Sequence, residues 1–577
     1  MRIIWSWLFG PTFLSGFASN VTKSGLMRSL QSSMYSRPHL IGATFQQRPI
    51  TNRSDLPSSA TSIGDTQLRL LQLTAKDLQD GLQNGSWTSE ELVNVSLSQI
   101  ESFDRQGPCI HAMINVAPRA KLLAQTRVLD LERREGKLRG PLHGIPIVLK
   151  DIVDTDPYWE LPTTQGAKVL QHVKNARQSK LVEKLTNAGL IVIGKTNLSE
   201  FGAGKGENGV GGLSALGGQA KSVYVAGGIR KEDKGLANIN PGGSSTGSAL
   251  AVAAGYTPVS IGGEADGSLT TPASRAALYA LKCTPQTISS EGIFLTVPTF
   301  ETIGGMAKSV RDLADITQII LQAAKEPKSL DAEFRKDFKG FTLGFVDPPK
   351  WKLPEFLFDP DEAYLAQMKL NIEQAIDRIR DSGGVVHYPI DLIHPSEVKF
   401  KGYPGYLKVL SAEVRDSINK YLFKLTETPV RTLKEIIDWN DRHPEDQAGI
   451  DQTYFTAAQN DSTTPNELAE AREFVKDTAG NNAIFKIMDE FNLDAICAPT
   501  DGPICTLAAM AGCPTACVPL GYLKPSGRPF GLSFIARPGK EDLLLGLMSA
   551  WEATSDPRKL PSVLLDFISD GPKLQDA

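Results

Sequence analysis

The sequence predicts an α/β protein with a partly parallel sheet. Short runs rich in branched aliphatics (Ile145–Leu149, Leu190–Ile193, Val259–Ile261, Val385–Tyr388) alternate with stretches of helical period, the pattern that βαβ units produce. Over 577 residues the chain is 41% hydrophobic and 22% charged, so it can bury a large core. No repeat at a period of about 20–50 residues is visible, which excludes solenoid arrays.

The elements follow in order. Residues 1–64 read as an extension or targeting segment. Residues 1–60 carry six basic residues (Arg2, Lys23, Arg28, Arg37, Arg48, Arg53) against Asp55, net +5, which leaves the remainder at net −9. A basic, Ser-rich, acid-poor start has the composition of a mitochondrial transit peptide. Ile3–Ala18, apolar and closing on Gly16-Phe17-Ala18, has the form of a secretory signal, although Pro11 interrupts it. A plain cytoplasmic extension is the third reading, and location stays open among the three. At 16 residues the apolar run is short for a membrane span, which takes about 20. The folded part begins near Thr66. Thr88-Ser89-Glu90-Glu91 is a capping box opening a helix that continues through Val93, Leu97 and Ile100. Leu181–Ala188 is helical, Ser248–Ala254 is a helix of small apolar residues, and Asp361–Asp381 is a long amphipathic helix ending at Gly383-Gly384. Residues 325–480 carry more charge and more helix than their flanks and read as an insertion or cap over a pocket.

Composition removes several functions. Net charge is −4, so nucleic acid is not the main partner. Six Cys are too few for a disulfide scaffold. Cys497, Cys505, Cys513 and Cys517 crowd into 21 residues, but without a C-x2-C pair and in apolar context they read as core thiols and not zinc ligands. No cofactor and no metal is called for.

Three glycine-containing motifs compete. Gly189-Leu-Ile-Val-Ile-Gly194-Lys195-Thr196 fits the phosphate-loop pattern, yet its intervening residues form strand where a phosphate cradle needs a loop. Gly243-Ser244-Ser245-Thr246-Gly247 fits a nucleophile elbow with Ser245, but a turn precedes it where an elbow needs a strand. His387, His394 and His443 are the histidines that such an elbow could draw on. The third reading joins the Gly/Ser block at 241–248 to Ser268, 24 residues after Ser244, and to Lys150 at the end of an apolar strand. A desolvated Lys loses proton affinity and can act as a base, which a serine nucleophile requires. His143, close to Lys150, reads as a turn residue. Asp151 follows Lys150, and on a strand the two side chains point to opposite faces.

These residues resemble the amidase signature family, in a fungal-like branch. The resemblance runs from about residue 68 to about 560. It is carried by Gly140–Asp151, Leu161–Gly166, Gly194–Phe201, the block 241–273, Leu493–Pro499, Gly512–Gly521 and Pro529–Phe534. It implies one large domain over 65–567, with a central mixed β-sheet covered by helices on both faces, and a tail at 568–577. It also implies a Ser–Ser–Lys triad: Ser268 as nucleophile, Ser244 as a bridging serine on a cis peptide bond, and Lys150 as base. The backbone N–H groups of Ala265, Asp266, Gly267 and Ser268 would hold the oxyanion. Lys195 becomes a structural member of the pattern. The expected reaction is hydrolysis of a small-molecule carboxamide through an acyl-enzyme. An esterase with the same triad, and a weakened homologue that only binds, are the alternatives. Oligomeric state is open, a homodimer included.

Departures accompany the resemblance. The commonest form around the nucleophile is Thr-Asp-Thr-Gly-Gly-Ser, and a variant branch has Thr-Glu-Thr-Asp-Gly-Ser. This chain has Gly263-Glu264-Ala265-Asp266-Gly267-Ser268, so both threonines are missing. Thr270 stands where Arg is frequent. These departures set the chain apart from the transamidosome subunit of the family, which keeps the commoner form.

Overall fold

The computed structural model describes residues 63–207, 209–229, 239–353, 362–524 and 526–570. The readings of residues 1–62 and of the last seven residues lie outside them. Among the described residues eleven strands build one sheet. In chain order they are β1 (Met113–Val116), β2 (Pro146–Lys150), β3 (Ile191–Thr196), β4 (Val259–Glu264), β5 (Tyr279–Lys282), β6 (Thr302–Ala307), β7 (Thr342–Val346), β8 (Val385–Ile390), β9 (Ala495–Pro499), β10 (Thr515–Tyr522) and β11 (Pro529–Ile535). Across the sheet they run β1-β3-β2-β4-β6-β5-β10-β11-β9-β7-β8. β2 is parallel to β3 and β4, and β7 is parallel to β8 and β9. The other neighbours are antiparallel. The mixed sheet flanked by helices is the expected fold, one α/β domain.

The strand period of two divides the core. On β9, Ala495 and Cys497 face a core shared with the helices Val310–Gln322 and Glu541–Thr554, whereas Ile496 and Ala498 face a second core shared with Gly405–Phe423 and Ile504–Ala511. The two faces are thus both covered, and Trp551, the largest wholly buried side chain, donates its ring N–H to the Pro519 carbonyl at 3.0 Å.

Predicted elements recur with shifted ends. The capping box at Thr88 forms, with Glu91 N–H donating to Thr88 Oγ1 at 3.2 Å and Thr88 N–H to the Glu91 carboxylate at 2.8 Å. The strand predicted over Leu190–Ile193 runs on through Lys195, which lies inside β3. The stretch 325–480 divides in two. Its first part supplies β7, β8 and the helix Glu362–Asp381, which complete the sheet, and residues 405–476 are mostly helical. Periodicity alone could not separate these parts, because β8 is half exposed and its alternation is weak.

The topology places the site. β2 and β4 are parallel neighbours, so their carboxyl ends, at Lys150 and Glu264, lie side by side, the place where open α/β sheets bind ligands. The helix Thr246–Ala253 is wholly buried and packs beside them. Its Gly247 N–H donates to the Asn197 carbonyl at 2.8 Å, and a Cβ at Gly247 would lie 2.1 Å from the Ala112 carbonyl oxygen. Gly247→Val is therefore expected to destabilise the fold by roughly 3 kcal/mol or more, read as a lowered midpoint in thermal unfolding. An unchanged midpoint would mean that this helix does not sit where described.

Candidate active site

Lys150 is the last residue of β2 and is 1% exposed. Its Nζ donates to Ser244 Oγ at 2.7 Å and to the Gly263 carbonyl at 3.0 Å. Burial lowers its pKa to about 8, with the Glu301 and Glu264 carboxylates pulling the other way. The neighbouring Asp151 turns elsewhere. Its carboxylate accepts from the Thr164 N–H and hydroxyl and from the Gly166 N–H, and it lies 4.0 Å from Lys195 Nζ. Asp151 therefore pairs with Lys195 and leaves the Lys150 amine to the serine.

Ser244 follows Gly243 through a cis peptide bond, and its hydroxyl is buried. Ser245 N–H donates to the Ser268 carbonyl at 2.8 Å, which ties the two Gly/Ser segments together at their serines. The Ser268 side chain is half-buried and makes no hydrogen bond among the described residues. In the loop from Gly263 to Ser268 four carbonyls are engaged, and Gly263 N–H donates to Ser245 Oγ at 3.1 Å. Gly263 O accepts from Lys150 and from Ser245 Oγ, Ala265 O from Lys282 Nζ, Gly267 O from Thr271 N–H, and Ser268 O from Ser245 N–H. The N–H groups of Ala265, Asp266, Gly267 and Ser268 have no partner among the described residues. Gly267 has φ of +78°, a conformation that glycine adopts without strain. Lys150 thus meets Ser244, and Ser268, tied by its backbone carbonyl to Ser245, closes a loop with four N–H groups that have no partner among the described residues.

Two of the departures from the common loop, Gly263 and Thr270, fit their surroundings. A side chain at Gly263 would meet Ile152 Cδ1 at 2.6 Å, so that space is already filled. Thr270 donates its hydroxyl to Glu264 Oε2 at 2.9 Å, and the same oxygen accepts from the Leu269 and Thr270 N–H groups at 2.8 Å each. Asp266 accepts from the Thr506 hydroxyl at 3.1 Å, and burial pushes its carboxyl up to about 7.

The residues behind the competing motifs are held in the framework of the fold. Ser245 Oγ is buried and donates to the Gly263 carbonyl at 2.9 Å, so it is a loop clamp and not an exposed elbow nucleophile. His387 packs on Phe491, His394 on Trp351 and His443 on Trp439, and none of the three bonds to Ser245. Lys195 Nζ donates to Thr163 Oγ1 at 2.9 Å inside the protein, where no phosphate could reach it. His143 is buried, with Nε2 2.9 Å from the Leu129 carbonyl, and acts as a turn residue. Cys497, Cys505, Cys513 and Cys517 are buried with thiol pKa values raised by burial, and no cluster of three metal-ligating side chains occurs among the described residues. Sequence reasoning missed Glu264 as the brace of this loop and Lys282 as its second amine. A signal for Lys282 exists: like Lys150, it ends a short apolar strand. No helix among the described residues is long and apolar enough to cross a membrane.

A family model described as Amidase matches residues 91–545. The native peptide amidase from Stenotrophomonas maltophilia is 30% identical, with a TM-score of 0.74 over 85% of this chain and 99% of its own. An amidase family protein from Bacillus anthracis str. Ames is 26% identical, with a TM-score of 0.76 over 87% of this chain and 94% of its own. An Arabidopsis thaliana protein named as a probable amidase is 28% identical over 85% of this chain and 92% of its own length.

Proposed function

The chain belongs to the amidase family, and from that premise we propose that it hydrolyses a carboxamide through Ser268, Ser244 and Lys150. The observation that carries this reading is the buried Lys150 Nζ at 2.7 Å from Ser244 Oγ, with its pKa lowered to about 8. A Lys that is partly neutral near pH 7 can accept a proton, whereas an exposed Lys cannot.

The Lys150–Ser244 contact supports the following chemistry. Ser268 Oγ attacks the amide carbon as its proton passes to Ser244 Oγ and the Ser244 proton passes to Lys150 Nζ. The carbonyl oxygen becomes an oxyanion held by the spare N–H groups of the 265–268 loop. Donors placed in advance for developing charge are each worth roughly 3–4 kcal/mol of barrier. Ser244 then protonates the leaving nitrogen, recovering a proton from Lys150, and the C–N bond breaks. Water attacks the Ser268 ester with the same base, and the acid leaves. A serine between base and nucleophile suits amides, because an amine leaves only when protonated.

A peptide amide is the substrate class that the Stenotrophomonas relative's name suggests. The test compares a dipeptide amide with the matched ester, following ammonia release and acid release. Because Ser244 can protonate the leaving group, the amide is expected to reach a kcat/KM within about tenfold of the ester. Ester hydrolysis with no detectable ammonia would establish the esterase alternative, and neither reaction would leave a binding role.

A further inference from the structure

Lys282 is a second buried lysine beside the catalytic loop, and the reaction just proposed does not use it. It ends β5, which is separated from β4 by β6 alone in the sheet. Its Nζ donates to the Ala265 carbonyl at 2.5 Å and lies 3.9 Å from Glu264 Oε1. That carboxylate oxygen has no hydrogen-bond partner among the described residues, while Glu264 Oε2 accepts the Leu269 and Thr270 donors. Lys282 and Glu264 thus grip both sides of the short segment that contains Ser268.

The Ala265–Asp266 peptide is trans. In a trans peptide the C=O and the following N–H point in opposite directions. A hydrogen bond that fixes the Ala265 oxygen toward Lys282 therefore fixes the Asp266 N–H away from it, and this N–H has no partner among the described residues. Gly263 and Ala265 carry no side-chain polar group of their own to hold this stretch of the loop. We infer that Lys282 is a positioning residue that aims the Asp266 N–H at the oxyanion by holding the Ala265 carbonyl. The inference rests on the proposed triad with its oxyanion loop, and it adds a residue that touches neither substrate nor nucleophile.

The test uses the full chain and two readouts. One is the rate at which a fluorophosphonate probe labels the protein, a reaction in which Ser268 Oγ bonds to phosphorus, fluoride leaves and the serine proton goes to the base. The other is the split of kcat and KM on a dipeptide amide. K282M is expected to label about a hundredfold more slowly and to lose a similar factor in kcat, with KM within about threefold of the parent. K282Q, whose amide can still donate to the Ala265 carbonyl, is expected to recover about tenfold of that loss. A merely structural role would lower the folded fraction or raise KM and would not move kcat alone. Folded K282M with a labelling rate and kcat within threefold of the parent, or with the loss confined to KM, overturns the inference. Should K282M fail to fold, K282Q decides by the same two numbers, a loss of about tenfold in kcat at steady KM supporting the inference and parental values overturning it. S268A is run beside them. Undiminished labelling and turnover in S268A would overturn the triad, and the inference with it. Loss in S268A together with parental K282M values overturns the inference alone.

Discussion

Ser268→Ala is expected to lower amide hydrolysis by about 10⁴-fold or more while leaving the fold intact. The hydroxyl makes no hydrogen bond among the described residues, so its removal breaks none. The Ser268 carbonyl, which accepts from Ser245 N–H at 2.8 Å, is untouched by the substitution. Thermal unfolding should therefore move by less than about 0.5 kcal/mol equivalent. The loss should fall on kcat, because without the nucleophile no acyl-enzyme forms, whereas the spare N–H donors remain to bind the substrate carbonyl. By contrast Ser245→Ala removes a buried hydroxyl that donates to Gly263 O and accepts from Gly263 N–H at 3.1 Å. That variant should cost stability, about 1–3 kcal/mol, and only secondarily activity.

Lys150→Ala should lower kcat by about 10³-fold, within the range of positioned general bases. The pH profile of the parent protein carries the same information without a mutation. The base works only in its neutral form. With the Lys150 pKa lowered to about 8, roughly a tenth of the molecules hold neutral Lys150 at pH 7. Activity should therefore rise about tenfold per pH unit below pH 7, bend near pH 8 and level above it. The residual activity of K150A should lack this bend. A parent profile that bends instead near pH 6 and is flat by pH 7 would assign the base to a carboxylate. Asp151, whose carboxyl burial pushes up to about 6, would then be the group to test.

Much of the candidate site is readable from the residue types and their order, because its proposed chemistry lies in local motifs. Lys150 at the end of an apolar strand, the serine pair at 244–245 and Ser268 behind Gly267 each stand out from short stretches of sequence. Their placement depends on β2 and β4 being parallel neighbours; alternation of strand and helix predicts a partly parallel sheet but not which strands pair. What stayed hidden depends on distant partners. Glu264 reads as one more acid until its carboxylate is seen capping the Leu269 and Thr270 N–H groups. Lys282 meets the loop only because β5 follows β6 across the sheet, and no local pattern encodes that neighbour. β6 itself, Thr302-Ile-Gly-Gly-Met-Ala307, has glycines where a strand signal needs side chains, since Gly304 and Gly305 pack against Leu281 and Ile316. The division of 325–480 was hidden for a similar reason. β7 and β8 are far in sequence from β9, the strand that β7 pairs with to extend the sheet.

The direct test of the central claim is to find the covalent adduct. The protein is treated with a fluorophosphonate probe, digested, and the modified residue located by mass spectrometry. A single adduct on Ser268 is expected, absent in S268A and formed at least a hundredfold more slowly in K150A. An adduct on Ser245 or elsewhere, or labelling retained in S268A, would contradict it.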